Sequence, residues 1–215
     1  MKNRNQNFKG KLIVFDGVHA AGKTTQINRL KSRLEKNNYQ VFVSRAHQGD
    51  SVNNSIRKLI NNPSSSNFND QLVRLFLVSA ARTSRIKNEI IPALKKGNIV
   101  LCDRLTPSTL VFQAWMGKID DKLVSLINKV SCQGVKTNIN FIFDLSPKLI
   151  KKRVNKSAWP FFKKDKIDHL PEKFHKKSRD GFRFYAKKYN WKIIDGNQPE
   201  EVIENIIWEN VKKIL

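Results

Sequence analysis

Residues 17 to 24 read Gly-Val-His-Ala-Ala-Gly-Lys-Thr, two glycines separated by four residues and followed at once by lysine and threonine. This spacing suits a nucleoside triphosphate. The glycines let the backbone wrap tightly, so that consecutive N–H groups point inward at phosphate oxygens. The loop then delivers those phosphates to a helix N-terminus, where the dipole favours negative charge. Lys23 can reach the β- and γ-phosphates, and the Thr24 hydroxyl can ligate Mg²⁺. Gly17, Val18, His19, Ala20, Ala21, Gly22 and Thr25 complete the expected ATP cradle. The motif requires a strand before it and a helix after it. "KLIVFD" (11–16) is a short apolar run that meets the first condition, and residues 24–37, with Ile27, Leu30 and Leu34 at helical spacing, meet the second.

The rest of the chain alternates in the same way. Strands are predicted over 40–45, 98–103, 138–144 and 191–195. Helices are predicted over 51–62, 69–96, 107–116, 120–131, from Pro147 to about Asn155, over 171–189 and in a closing amphipathic stretch. Gly97 is placed to stop the long 69–96 helix. Such alternation implies a five-stranded parallel sheet with helices on both faces, an α/β fold of one domain over 1–215. A chain of 215 residues is long enough for one sizeable core.

Charge and composition bound the remainder. Lys plus Arg number 41 against 18 Asp plus Glu, a net charge of +23. Such a field attracts nucleic acid, anionic lipid or nucleotides. The chain is also rich in Asn and its lysines are spread from end to end, so compositional drift is the favoured account of the charge, and no nucleic-acid recognition motif accompanies it. The apolar runs are strand length, so no membrane span is expected. The basic, polar start does not read as a secretory signal. Cys102 and Cys132 are too few for a disulfide framework, and a cytoplasmic setting is the simplest expectation.

"FDGVHAAGKTTQINRL" resembles the opening of the thymidylate kinases, F-E-G-x-D-G-x-G-K-T-T-Q. The resemblance recurs in order. "SRAHQGDSVNNSIRKLI" lies where that family has T-R-E-P-G-G-T and a helix with I-R. "FLVSAARTSRIKNEIIPALKKGNIVLCDRLTPSTLVFQ" is similar to its L-F-A-x-x-R, I-x-P-A-L and V-x-x-D-R-Y-x-x-S-x-x-A-Y-Q segments. "FIFDLSP" and "IIDGNQPEEVIENI" resemble its late strands and last helix. The resemblance implies a P-loop NTPase fold, transfer of the γ-phosphoryl of ATP to dTMP to give dTDP, Mg²⁺ as cofactor, and a homodimer. It also implies roles. Lys23, Asp103, Arg104 and Arg153 would be catalytic. Thr24 and Asp103 would serve the metal. Arg45 and Arg104 would hold the acceptor phosphate, Arg82 the base, and Ser108 and Gln113 the nucleoside. Read alone, an arginine in so basic a chain is a surface charge, and Asp103 can equally cap the following helix.

The segment near 153–170 lies where nucleotide kinases carry a mobile lid. Ala20 and Ala21 bring no cation to the P-loop, so the lid is expected to supply one, from Arg153 or from Lys163, Lys164 and Lys166. Trp159, Phe161 and Phe162 are expected to pack that segment down. The departures from the family fall on the acceptor side. His19 replaces an aspartate that contacts the sugar, Ala46-His47 replaces E-P, Val78 replaces a stacking phenylalanine, and Leu105 replaces the tyrosine of D-R-Y. Three readings stay open at this point: a dTMP kinase, a kinase of the same fold with another nucleotide or phosphorylated acceptor, and a nucleic-acid-associated P-loop protein with little kinase activity.

Overall fold

Strand β1 (Lys11–Gly17) is buried along almost its whole length, and Leu12, Ile13, Val14 and Phe15 are all inaccessible. An unbroken apolar run such as Leu12–Phe15 suits a strand at the centre of a sheet covered on both faces. In the computed structural model, which describes residues 8–46, 55, 56, 58–60, 70–156 and 170–215, β1 is the middle of five parallel strands in the order β2-β3-β1-β4-β5. The others are β2 (Val41–Arg45), β3 (Ile99–Asp103), β4 (Ile139–Asp144) and β5 (Lys192–Asp195). Successive side chains of a strand point to opposite faces, and each face has its own core. Ile13 and Phe15 pack with Leu101, Phe141 and Phe143 on one side. Leu12 and Val14 pack with Val100 and Cys102 on the other.

Helices α1 (Lys23–Lys36), α2 (Gln71–Arg85) and α3 (Ile91–Lys95) account for the first two crossovers, together with helical residues 55, 56 and 58–60. The Asp70 side chain caps α2 by accepting from the Leu72 N–H. The run predicted as one helix over 69–96 is continuous but changes pitch. Residues Ile86–Ile90 form a π-helical segment between α2 and α3. Pro92, the second residue of α3, lacks an N–H and crowds the carbonyl four residues earlier, inside that segment, which a locally widened turn relieves. Gly97, at φ +88°, ends the run as expected.

After β3 come α4 (Thr106–Thr109), a second π-helical segment (Leu110–Met116) and α5 (Asp121–Ser131). Then follow α6 (Pro147–Lys156), α7 (Glu172–Lys188) and α8 (Glu200–Lys212). Helix α8 docks on α1, where the Arg29 guanidinium bridges Glu200, Glu201 and Glu204. The strand register brings Arg45, Asp103, Gly17, Asp144 and Asp195 to one edge of the sheet. That edge, the carboxyl ends of parallel strands, is where ligands of open α/β sheets bind. Among the described residues no helix is long and apolar enough to cross a membrane. His47 and the expected lid residues Trp159, Phe161, Phe162, Lys163, Lys164 and Lys166 lie outside the described residues.

Candidate active site

The loop from Gly17 to Thr24 leaves β1 and enters α1 in the backbone conformations that its sequence allows. Gly17 has φ +122°, and a Cβ there would lie 2.2 Å from the Phe143 carbonyl oxygen, so no other residue fits. Gly22 has φ +91° and Ala20 φ +52°. The Val18 N–H donates to the Phe143 carbonyl, which pins the loop to β4. Val18 and Ala21 are buried, whereas His19, Ala20, Thr24 and Thr25 are partly open. The Lys23 ammonium folds across the loop and donates to the Val18 carbonyl at 2.6 Å. Burial, then the neighbouring Arg104, lowers its pKa to about 7, while Asp103 and Asp16 oppose the shift. Bound phosphates would act in the same sense as the carboxylates.

Asp16 organises the mouth of the loop. It is wholly buried, yet its carboxylate accepts from the N–H groups of Gly17, Leu105 and Ser108, from the Ser108 hydroxyl at 2.6 Å and from the Arg104 guanidinium at 3.0 Å. A buried carboxylate needs this degree of satisfaction. The sequence reading passed over it. Its signals in sequence are a charged residue ending a run of apolar ones and its place at the acidic position of F-E-G.

Arg104 is held in the left-handed region at φ +63°, an uncommon conformation for a side-chain-bearing residue. Its N–H donates to the Phe15 carbonyl, and its guanidinium also reaches the Gly17 carbonyl and the Ser108 hydroxyl. The strain therefore aims this side chain from the end of β3 across the end of β1. Asp103 lies opposite Phe15 in the β1–β3 register and close enough to Lys23 to raise its pKa. A second unforeseen residue supports the pair. Arg85 is buried and donates to the carbonyls of Asp103, at 3.4 Å, and Arg104, at 2.6 Å.

Beyond Arg104 opens a cavity of about 600 Å³ between α2 and the helical run that follows β3. Arg82, Arg104, Ser108 and Gln113 all line it, as do Arg85, Phe112 and Phe174. Arg82 is buried and tied to Asn128, Ser131 and Thr109. Burial depresses its pKa from the usual arginine value. The positions where the sequence departs from the family, Ala46, Val78 and Leu105, line the same cavity. His19 approaches it indirectly. Its ring lies 6.4 Å from that of Phe112, which stacks on Phe174 at 6.2 Å and meets Phe182 edge-on.

Two expected site residues do not line this cavity. Arg45, at the end of β2, donates to the Asn28 side chain at 3.1 Å and does not line the cavity, although the next residue does. Arg153, on α6, donates to the Ala20 carbonyl at 3.2 Å and the Gly196 carbonyl at 2.7 Å. Gly196 in turn donates its N–H to the Asp144 carbonyl, and a Cβ there would stand 2.9 Å from the Ala21 carbonyl oxygen.

A phosphate cradle feeding an arginine-lined cavity is the layout of a phosphotransferase, and comparison with known proteins agrees. The thymidylate kinase family model matches residues 15–207. A thymidylate kinase of Prochlorococcus marinus (strain MIT 9301) is 32% identical over 209 residues, covering 94% of this chain and 96% of that protein. One of Thermoanaerobacter sp. (strain X514) is 30% identical, covering 96% and 100%. One of Sulfurihydrogenibium sp. (strain YO3AOP1) is 32% identical, covering 95% and 98%. On the extent of these matches and the site just described, the chain belongs to the thymidylate kinase family.

Proposed function

We propose that this chain transfers the γ-phosphoryl group of ATP to the 5′-phosphate of dTMP, giving dTDP, with the P-loop holding ATP and the neighbouring cavity holding the acceptor. The observation that carries this reading is the position of Arg104. It touches the P-loop at Gly17 and lines the acceptor cavity. Phosphoryl transfer asks the protein mainly for alignment and for stabilisation of charge between the two phosphates, and a guanidinium at that junction supplies both.

The remaining roles are those that the family resemblance implies. The inward N–H groups of the P-loop and the start of α1 bind the β- and γ-phosphates, and Lys23 turns from the Val18 carbonyl to the transferring group. Arg82 meets the base at the wall it shares with Thr109. Ser108 and Gln113 contact the nucleoside. Arg45 reaches the acceptor phosphate from the end of β2, and Arg153 acts on the transferring group from the ATP side. Thr24 and Asp103, a hydroxyl at a helix start and a half-buried carboxylate beside Lys23, are hard oxygen donors of the kind Mg²⁺ takes. They would hold the ion, Asp103 through water, and it would neutralise phosphate charge. The two cysteines are buried free thiols, which fits a reducing, cytoplasmic setting.

A homodimer also fits. Helices α2 and α5 pack together and leave Leu72, Val73 and Phe76 on one and Leu126 and Val130 on the other exposed. A second copy of the chain covering this face would bury them. Light scattering on a sizing column tests this: Phe76→Glu should elute as a monomer where the unmodified chain elutes as a dimer.

The decisive assay couples ADP release to a panel of monophosphate acceptors. dTMP should support turnover and the other pyrimidine and purine monophosphates much less. ADP release that does not depend on dTMP would refute the reading.

A further inference from the structure

We propose that Arg85 is a positioning residue for the transfer: it clamps the backbone on both sides of Arg104 in the one conformation that lays the Arg104 guanidinium across the mouth of the P-loop. This rests on the reading of Arg104 as the group at the junction of the two phosphates. Strand β3 ends at Asp103, and the chain turns there with Arg104 at φ +63° and Leu105 at φ −146°, ψ −125°. A side chain disfavours the left-handed region, so such a residue stays there only while its surroundings fix it.

The two dihedral angles of a residue are set by the peptide planes that flank it. Around Arg104 each plane is pinned at both ends. In the first plane the Arg104 N–H donates to the Phe15 carbonyl at 2.9 Å, and the Asp103 carbonyl accepts from the Arg85 Nη1 at 3.4 Å. In the second the Leu105 N–H donates to the Asp16 carboxylate at 3.2 Å, and the Arg104 carbonyl accepts from the Arg85 Nη2 at 2.6 Å. One guanidinium therefore holds both planes. The Asp103 carbonyl has a second donor, the Ala46 N–H at 3.3 Å. The Arg104 carbonyl has beside Arg85 the Cys102 thiol at 3.5 Å, a weak donor. Its orientation thus depends chiefly on Arg85, and a buried carbonyl that loses its donor is costly to keep in place.

The residue type suits this task. A planar fork offers neighbouring donors to two acceptors at once, which an ammonium does not. Arg85 is buried at the end of α2, and among the described residues it makes no salt bridge, so its grip is on main chain rather than on a counter-ion. Arg82, three residues earlier on the same helix, holds side chains instead, those of Asn128, Ser131 and Thr109.

Arg85→Met keeps the apolar stem and removes every donor. It should lower kcat/KM for dTMP by about tenfold to a hundredfold, the scale of a small misplacement, with the ATP KM little changed. A double-mutant cycle with Arg104→Ala separates positioning from stability. If Arg85 acts through Arg104, Arg85→Met should cost less than about threefold once residue 104 is alanine. Arg85→Lys, which keeps one donor, should recover part of the loss, and the same cycle is run with it if Arg85→Met does not fold. A crystal structure of the variant adds a readout that does not depend on the acceptor: Arg104 should leave the left-handed region. If the two losses multiply in full, or if Arg104 keeps its left-handed backbone in the variant, Arg85 is not a positioning residue. If the unmodified chain does not phosphorylate dTMP, the reading of the reaction falls, and the backbone of Arg104 in the variant still decides whether Arg85 holds the turn.

Discussion

The two halves of the candidate site are made of different material. The donor half is mainly backbone: a loop whose N–H groups, left-handed Gly22 and sterically obligatory Gly17 form a cradle that carries the Lys23 and Thr24 side chains. The acceptor half is side chains. Arg82 and Arg85 reach into the cavity from α2 and Arg104 from the end of β3, each anchored by a different partner set. A backbone cradle has few sequence solutions, because changing a residue changes the fold of the loop. A side-chain pocket has many, because each group can be exchanged if its anchors change too. Ala46, Val78 and Leu105, all departures from the family pattern, line the cavity, while the cradle keeps Gly17, Gly22, Lys23 and Thr24 and departs from the pattern at His19 and Ala20.

The largest effect should come from the residue that joins the halves. Asp16→Asn keeps the shape but leaves Arg104 without its buried counter-charge and aims an amide N–H₂ at groups that are themselves donors. Breaking a buried pair costs about 3–5 kcal/mol, so urea unfolding should show a loss of that size. A loss within experimental error would mean that the halves are held together by something else. Next, Lys23→Ala should reduce kcat by about 10²-fold or more while leaving the unfolding midpoint close to normal. Near-normal turnover in the folded variant would remove the P-loop from the mechanism.

Arg104→Ala should cut kcat/KM and raise the acceptor KM by about tenfold to a hundredfold, with the ATP KM changing far less. If both KM values rise together, Arg104 belongs to the cradle rather than to the junction. The smallest change concerns His19. Neutral imidazole accepts a hydrogen bond through one nitrogen only, and imidazolium accepts none. His19→Asp should therefore raise kcat/KM for dTMP by up to about tenfold, with no gain for the 3′-deoxy analogue. Lower activity in His19→Asp would identify the histidine as a working substitute that acts together with Phe112.

What was legible in the sequence follows the same division. The central strands β1, β3 and β4 announce themselves because burial on both faces demands unbroken apolar runs, the edge strands β2 and β5 through shorter apolar runs, and the helices through a period near 3.6. The cradle was legible because strand, glycine spacing and helix occur in one continuous stretch. Arg104 and Arg82 were reachable only through their motif positions. Asp16 and Arg85 were not reached at all. Asp16 sits among apolar neighbours and gains its partners from residues about ninety positions later. Arg85 is one of many basic residues in a strongly basic chain, and its partners are main-chain carbonyls, which leave no mark in sequence. The two π-helical segments were invisible for a related reason: a helical period does not report a local change of pitch.

The contact at Gly196 has a consequence for anyone re-engineering the chain. Asn197 and Gln198 are exposed and follow an edge strand, so the turn after β5 looks like a natural place to insert a tag or to open new termini. Tolerance of such a cut depends on the buried bonds of the affected backbone rather than on its distance from the core. Gly196 is buried, bonded on one side to Asp144 and on the other to Arg153, and lies against the Ala21 carbonyl. Circular permutants opened between Asp195 and Gly196 should therefore lose ATP binding even when they fold, whereas those opened after Gln198 should keep it.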